Sequence, residues 1–293
     1  MNPWPDIAAA IASAAGKAFS IESREAIGGG CINSACRVTG GGRSYFVKTN
    51  DAGKAYMFAA EADGLAAIAA TNTVRVPQPV CHGANDEASW LVVEFIALGR
   101  ERPGGMRTLG RRLAALHRTM QDRFGWHRDN TIGTTPQINT PSGDWLAFWR
   151  EHRLRYQLAL AARNGYAGAL QREGERLMDR LPAFFKTYAP LPSLLHGDLW
   201  SGNAAFDQDG APVIFDPAVY YGDREADLAM TELFGGFSAD FYAAYREAWP
   251  LDAGYALRRD LYNLYHVLNH LNLFGGGYLA QSERLIGKLL SAV

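Results

Sequence analysis

His196-Gly197-Asp198-Leu199-Trp200-Ser201-Gly202-Asn203, followed by Asp216 at the end of Val213-Ile214-Phe215, is the stretch that decides the fold. An aspartate and an asparagine five positions apart can both turn into one cleft from a short loop. The carboxylate of Asp198 can take a proton from an attacking hydroxyl, and the neutral amide oxygen of Asn203 can hold a metal. Asp216 comes thirteen residues after Asn203, where an apolar strand ends. A carboxylate there suits Mg2+, which takes one or two carboxylates and completes its shell with phosphate oxygens and water. Without context the same acids could merely cap turns, so the preceding chain has to be read with them.

Working backwards, Lys48 closes the strand Tyr45-Phe46-Val47-Lys48, and Glu61 lies on the helix Ala55 to Ala70. A strand lysine followed by a helix glutamate, then an Asp–Asn loop and a strand-borne Asp, is the order of parts in protein kinases. There the lysine engages the ATP phosphates and the glutamate steadies it. Gly28-Gly29-Gly30 separates two earlier strands and can cover phosphates with backbone N–H groups. The glycines also fit an ordinary hairpin turn. Glu94-Phe95-Ile96 follows the last strand of this region, where main-chain groups can meet adenine.

The expected fold class is α+β: a bilobal, protein-kinase-like arrangement with a small five-stranded antiparallel lobe and a large, mostly helical one. Short β-like segments (20–27, 32–39, 44–49 and a strand pair opened by Pro77 and Pro79 that ends in 90–96) and the helix 55–70 form the N-terminal nucleotide-binding lobe, 1–96. A leading Ala-rich helix spans 4–19. Residues 97–293 form the C-terminal lobe, with Leu109, Leu113 and Leu116 on one helix face and a second helix opening at Trp145. Between those helices, Gly125 to Gly143 is rich in Asn, Thr, Gly and Pro and reads as a long, functional loop.

Composition is that of an ordinary globular protein. The 293 residues are 48% hydrophobic with a net charge of −1, which gives no bulk attraction to nucleic acid or anionic membrane. No apolar run reaches the roughly 20 residues of a membrane span. Three cysteines fit a reducing cytoplasm better than a disulfide framework. The Ala-rich start has no basic residue before it, unlike a signal peptide.

The glycine between His196 and Asp198, where protein kinases carry arginine, and Asp216-Pro217-Ala218 in place of their metal-loop triplet point to small-molecule kinases of the aminoglycoside and choline kinase type. More specifically, Gly28 to Asn33, Phe46 to Lys48, the Glu61 helix, His196 to Asn203, Phe215 to Glu225 with Asp227, and the tail from Leu261 to Tyr278 resemble the fructosamine kinase family. Phe124-Gly125, Asp129-Asn130, Ile132-Gly133 and Pro136-Gln137 add to the likeness. The resemblance implies ATP-dependent phosphorylation of the third-carbon hydroxyl of ketosamines, the sugar adducts of small amines or protein lysines, in a deglycation role. In that reading Asp198 is the catalytic base. Asn203 and Asp216 hold Mg2+. Gly28, Gly29, Gly30, Lys48, Glu61, Glu94, Phe95 and Ile96 form the ATP site. The alternatives are another small-molecule kinase with a different acceptor and a non-catalytic nucleotide-binding protein.

Trp200, two residues beyond Asp198, offers an apolar platform for a sugar face, although a tryptophan also fits the core. His266 and His270 have the spacing of a zinc pair but lack a companion acid, so packing is expected. Arg224 and Asp227 are expected to form a local ion pair or to hold a loop. Cys31 sits within the phosphate-covering turn, where nearby N–H dipoles favour thiolate and a redox-linked dimer is conceivable.

Overall fold

The structure, a computed structural model, describes residues 2–28 and 32–293. Gly29, Gly30 and Cys31 therefore lie outside the described residues, and with them the redox dimer. Packing divides the chain into two units, residues up to 105 with 204–217, and 106–203 with 218–293.

The first unit is built on an antiparallel sheet of β1 (Ser23–Ala26), β2 (Ser34–Gly40), β3 (Arg43–Asp51), β4 (Pro79–Ala84) and β5 (Ala88–Glu94) in the order β1-β2-β3-β5-β4. The β2–β3 hairpin closes at the pair Gly40–Arg43. Gly41 (φ 55°) and Gly42 (φ 71°) occupy the two positions of its turn that demand positive φ. Alternation along the strands sends Val38, Val47 and Val92 inward, where Ile7 and Ile11 from helix α1 (Trp4–Ala15) complete the core. α1 is shorter than the expected 4–19. Gly16 turns left-handed at φ 62° and its N–H caps the preceding turn, so the chain leaves the helix there. α2 (Ala55–Ala70) has the expected bounds.

The same unit takes in a distant hairpin, Ala204–Phe206 paired with Pro212–Ile214. Arg75 fastens it, bonding Asp207 Oδ2 at 2.6 Å and Glu94 Oε1 at 2.8 Å. Asp216 stands just beyond that hairpin.

The second unit holds α3 (Gly105–His117), α4 (Trp145–Trp149), a π-helical turn (Arg150–Arg155), α5 (Tyr156–Arg163), α6 (Ala169–Arg180), α7 (Glu225–Leu233), α8 (Ala239–Ala248), α9 (Tyr255–Phe274) and α10 (Leu279–Ser291). α9 is buried on nearly all sides in its middle, from Asp260 to Asn269, as a central helix of a helical domain must be. Trp145, Phe148 and Trp149 pack against Tyr262 and Tyr265 in its core. The expected long loop contains a small hairpin, Asn130–Ile132 with Thr135–Gln137. Its polar side chains point inward: Asn130, Gln137 and Asn139 are all buried. No helix among the described residues is long and apolar enough to cross a membrane.

Candidate active site

In the first unit, Lys48 lies on the central strand β3, opposite Ala35 of β2 and Leu91 of β5. Flanked by two strands, its side chain is buried, and a buried ammonium must be paired. Lys48 Nζ donates to Glu61 Oε1 and to Asp216 Oδ1, each at 2.6 Å. Burial by itself would lower the lysine's affinity for its proton; the two carboxylates outweigh it and raise the pKa, so Lys48 stays charged. Glu61 is raised as well, by burial and by the neighbouring Asp216, against the pull of Lys48. Two acids sharing one ammonium leave surplus negative charge, which a cation can neutralise. Asp216 is half-exposed, and its backbone is left-handed at φ 59°. Asp tolerates that region better than most residues, yet the conformation still costs about 1 kcal/mol.

Gly28 is exposed, and a Cβ there would meet nothing. Glu94 spends its carboxylate on Arg75 rather than presenting it freely. Phe95 lies beneath the Arg37 guanidinium at 4.5 Å, and Ile96 follows as the sheet ends.

In the second unit, the strand Ser193–Leu195 runs directly into the Asp198 loop. Gly197 has φ 83°, and a Cβ on it would stand 2.0 Å from the Ala218 carbonyl oxygen; no other residue fits. The Asp198 N–H donates to His196 Nδ1 at 3.2 Å, so His196 serves as a buried structural acceptor. Asn203 Nδ2 donates to the Asp198 carbonyl at 2.9 Å. Its donor is thus committed within the loop, and Oδ1 is left as the metal-competent atom.

Asp227, on α7, fixes this loop from below. Its buried carboxylate accepts the N–H groups of His196 at 2.7 Å and Gly197 at 2.8 Å. His117 Nε2 adds a third bond at 3.0 Å, while His117 Nδ1 meets the Tyr245 hydroxyl at 2.8 Å. Burial pushes the Asp227 carboxyl up, but the bonds from His117 and the loop prevail and hold it below the usual carboxylate range. Arg224 bonds the carbonyls of Trp249 and Pro250 and the Tyr245 hydroxyl. The loop-holding part thus falls to Asp227, with Arg224 behind it. A second brace was not foreseen. Asn130 Nδ2 donates to the Val219 carbonyl at 2.8 Å, and Gln137 Nε2 donates to the Ala218 carbonyl at 3.1 Å. Asn139 and Arg153 close that buried cluster from behind.

Trp200 is 39% exposed and meets Phe234 edge-on. His266 is fully buried and pushed down to about 3 by burial, while His270 Nδ1 bonds the His266 carbonyl at 2.7 Å. Among the described residues no cluster of three His, Cys, Asp or Glu can hold a metal by itself. Burial pushes the thiols of Cys36 and Cys81 up, the latter to about 11.

Among solved structures, the chain superposes on a putative fructosamine-3-kinase from Haemophilus somnus with a TM-score of 0.90, at 28% identity, covering 99% of this chain and 100% of the other. A crystallised aminoglycoside phosphotransferase with bound ADP and hygromycin B gives a TM-score of 0.62 at 14% identity, over 98% of both chains, which establishes a kinase-like fold. A probable ketoamine kinase of Synechocystis is 48% identical over 98% of this chain and 97% of its own length. A chloroplastic protein-ribulosamine 3-kinase of Arabidopsis thaliana is 46% identical over 94% and 85%. A sequence model of fructosamine kinase matches residues 3–292. Matched along almost its whole length by relatives this similar, the chain belongs to the fructosamine kinase family.

Proposed function

We propose that the protein is an ATP-dependent ketosamine kinase that transfers the γ-phosphoryl group to the third-carbon hydroxyl of a sugar–amine adduct. The observation that carries phosphoryl transfer is the Lys48 ammonium held 2.6 Å from both Glu61 and Asp216. The acceptor rests on kinship with ketoamine and ribulosamine kinases. Lys48, kept charged, engages the α/β-phosphates, and Glu61 sets its position. Gly28, Gly29 and Gly30 cover the phosphates, while the main chain at Glu94, Phe95 and Ile96 meets adenine.

Asp198 orients the acceptor hydroxyl and takes its proton as the phosphoryl group arrives. Trp200 offers its exposed indole to the sugar. The donor set suits Mg2+, with a half-exposed carboxylate on Asp216 and a committed amide on Asn203 that leaves Oδ1 available. Bound there, the ion would offset phosphate charge. Acceptor-dependent ADP release tests the reading, with ribuloselysine and fructoselysine set against an aminoglycoside and choline. Turnover on the ketosamines, lost in Asp198→Ala, is expected. Turnover on another acceptor alone would refute the ketosamine assignment.

A further inference from the structure

Three of the seven large apolar side chains exposed among the described residues, Trp200, Phe234 and Phe274, belong to one aromatic strip in the second unit. From Trp200 the ring centroids run 6.3 Å to Phe234 and then 4.9 Å to His270. From His270 they continue 5.5 Å to Phe274 and 5.1 Å to Tyr278. The strip therefore begins at Trp200, two residues along the chain from Asp198, and continues in steps of one ring.

Two properties give the strip a chemistry. Among the described residues, none of the eleven contacts between a guanidinium and a ring face falls on the strip. The strip is left free of internal cations, and exposed aromatic faces attract alkylammonium groups. In addition, His270 Nδ1 lies 2.7 Å from the His266 carbonyl, which can only accept. The proton must be on Nδ1, and Nε2 is left as an acceptor. Burial lowers the His270 pKa, so the ring favours that neutral form.

We infer that Phe234, His270, Phe274 and Tyr278 form a subsite for the amine half of the acceptor, a secondary alkylammonium and the chain that bears it. The inference rests on the ketosamine reading. Its order follows the order of the substrate: sugar at Trp200, nitrogen between Phe234 and His270 with its N–H donated to Nε2, alkyl chain along Phe274 and Tyr278. The strip accordingly selects the amine rather than the sugar.

The test is steady-state kinetics of the wild type and Phe274→Ala on fructoselysine and on the fructose adduct of methylamine. Phe274 is 57% exposed, so its truncation leaves the core intact. KM for fructoselysine is expected to rise about fourfold, the scale of burying one methylene group, with a shift under twofold for the methylamine adduct. A Phe234→Ala variant, altered next to the nitrogen, should raise both KM values. Equal shifts on both adducts in Phe274→Ala, or none, would overturn the subsite while leaving the kinase in place. Wild-type turnover on neither adduct would remove the ketosamine reading and the subsite with it.

Discussion

Asp216 combines an ion pair with an uncommon backbone, and both point to a residue retained for its charge. Removing that charge at saturating Mg2+ should nearly abolish turnover: Asp216→Ala is expected to lose about a thousandfold in kcat, measured as ADP release. Asp227 makes a different kind of demand. Replacing it with asparagine converts an acceptor of three N–H groups into one that meets some of them with its own N–H. Asp227→Asn should cost about 3 kcal/mol in urea unfolding, since buried donors lose their partner. The pH dependence follows from the same bonds. The folded-state pKa of Asp227 lies below its unfolded value near 3.8, so its contribution is full above that value and is lost as pH falls through the folded pKa. Acid unfolding below about pH 4 should therefore be shallower in Asp227→Asn than in the wild type. Lys48, Glu61 and Asp216 were legible because strand and helix periodicity put each on a recognisable element. The partners of Asp227 were not. A carboxylate that grips two main-chain amides 30 and 31 residues back leaves no local pattern.

At the scale of elements, the sheet and the helices follow from alternation, glycine turns and alanine-rich runs, which are local properties. The segment from Gly125 to Gly143 escaped this reading because most of its buried residues are polar. Hydrophobic periodicity cannot register a hairpin in which Ile132 is the one apolar buried residue beside Asn130, Thr135 and Gln137. The π-helical turn was equally silent in the sequence. There Arg153 is buried between the rings of Phe148 and Tyr220 while its guanidinium bonds the Ile138 carbonyl at 2.7 Å. The amide brace reaches Ala218, whose N–H also bonds the His196 carbonyl at 2.8 Å. Slackening it should move the Asp198 loop: Gln137→Ala is expected to lower kcat about tenfold and the Tm by roughly 5 °C, read by calorimetry.

For the whole molecule, the family resemblance supplied what physics alone could not, the nature of the acceptor. Chelation with excess EDTA should abolish ADP release, and added Mg2+ should restore it; unchanged rates would remove Asn203 and Asp216 from the metal role. The first unit is also assembled from two stretches of chain separated by 98 residues, 106 to 203. On the ribosome its sheet can form early, but the hairpin clasped by Arg75 and the second acid of Lys48 arrive only after that stretch has been made. Until translation passes residue 216, the nascent sheet carries a lysine with half of its counter-charge. The first unit is thus begun at the start of the chain yet stays incomplete until residue 217, so a shorter nascent chain lacks the second carboxylate that holds Lys48.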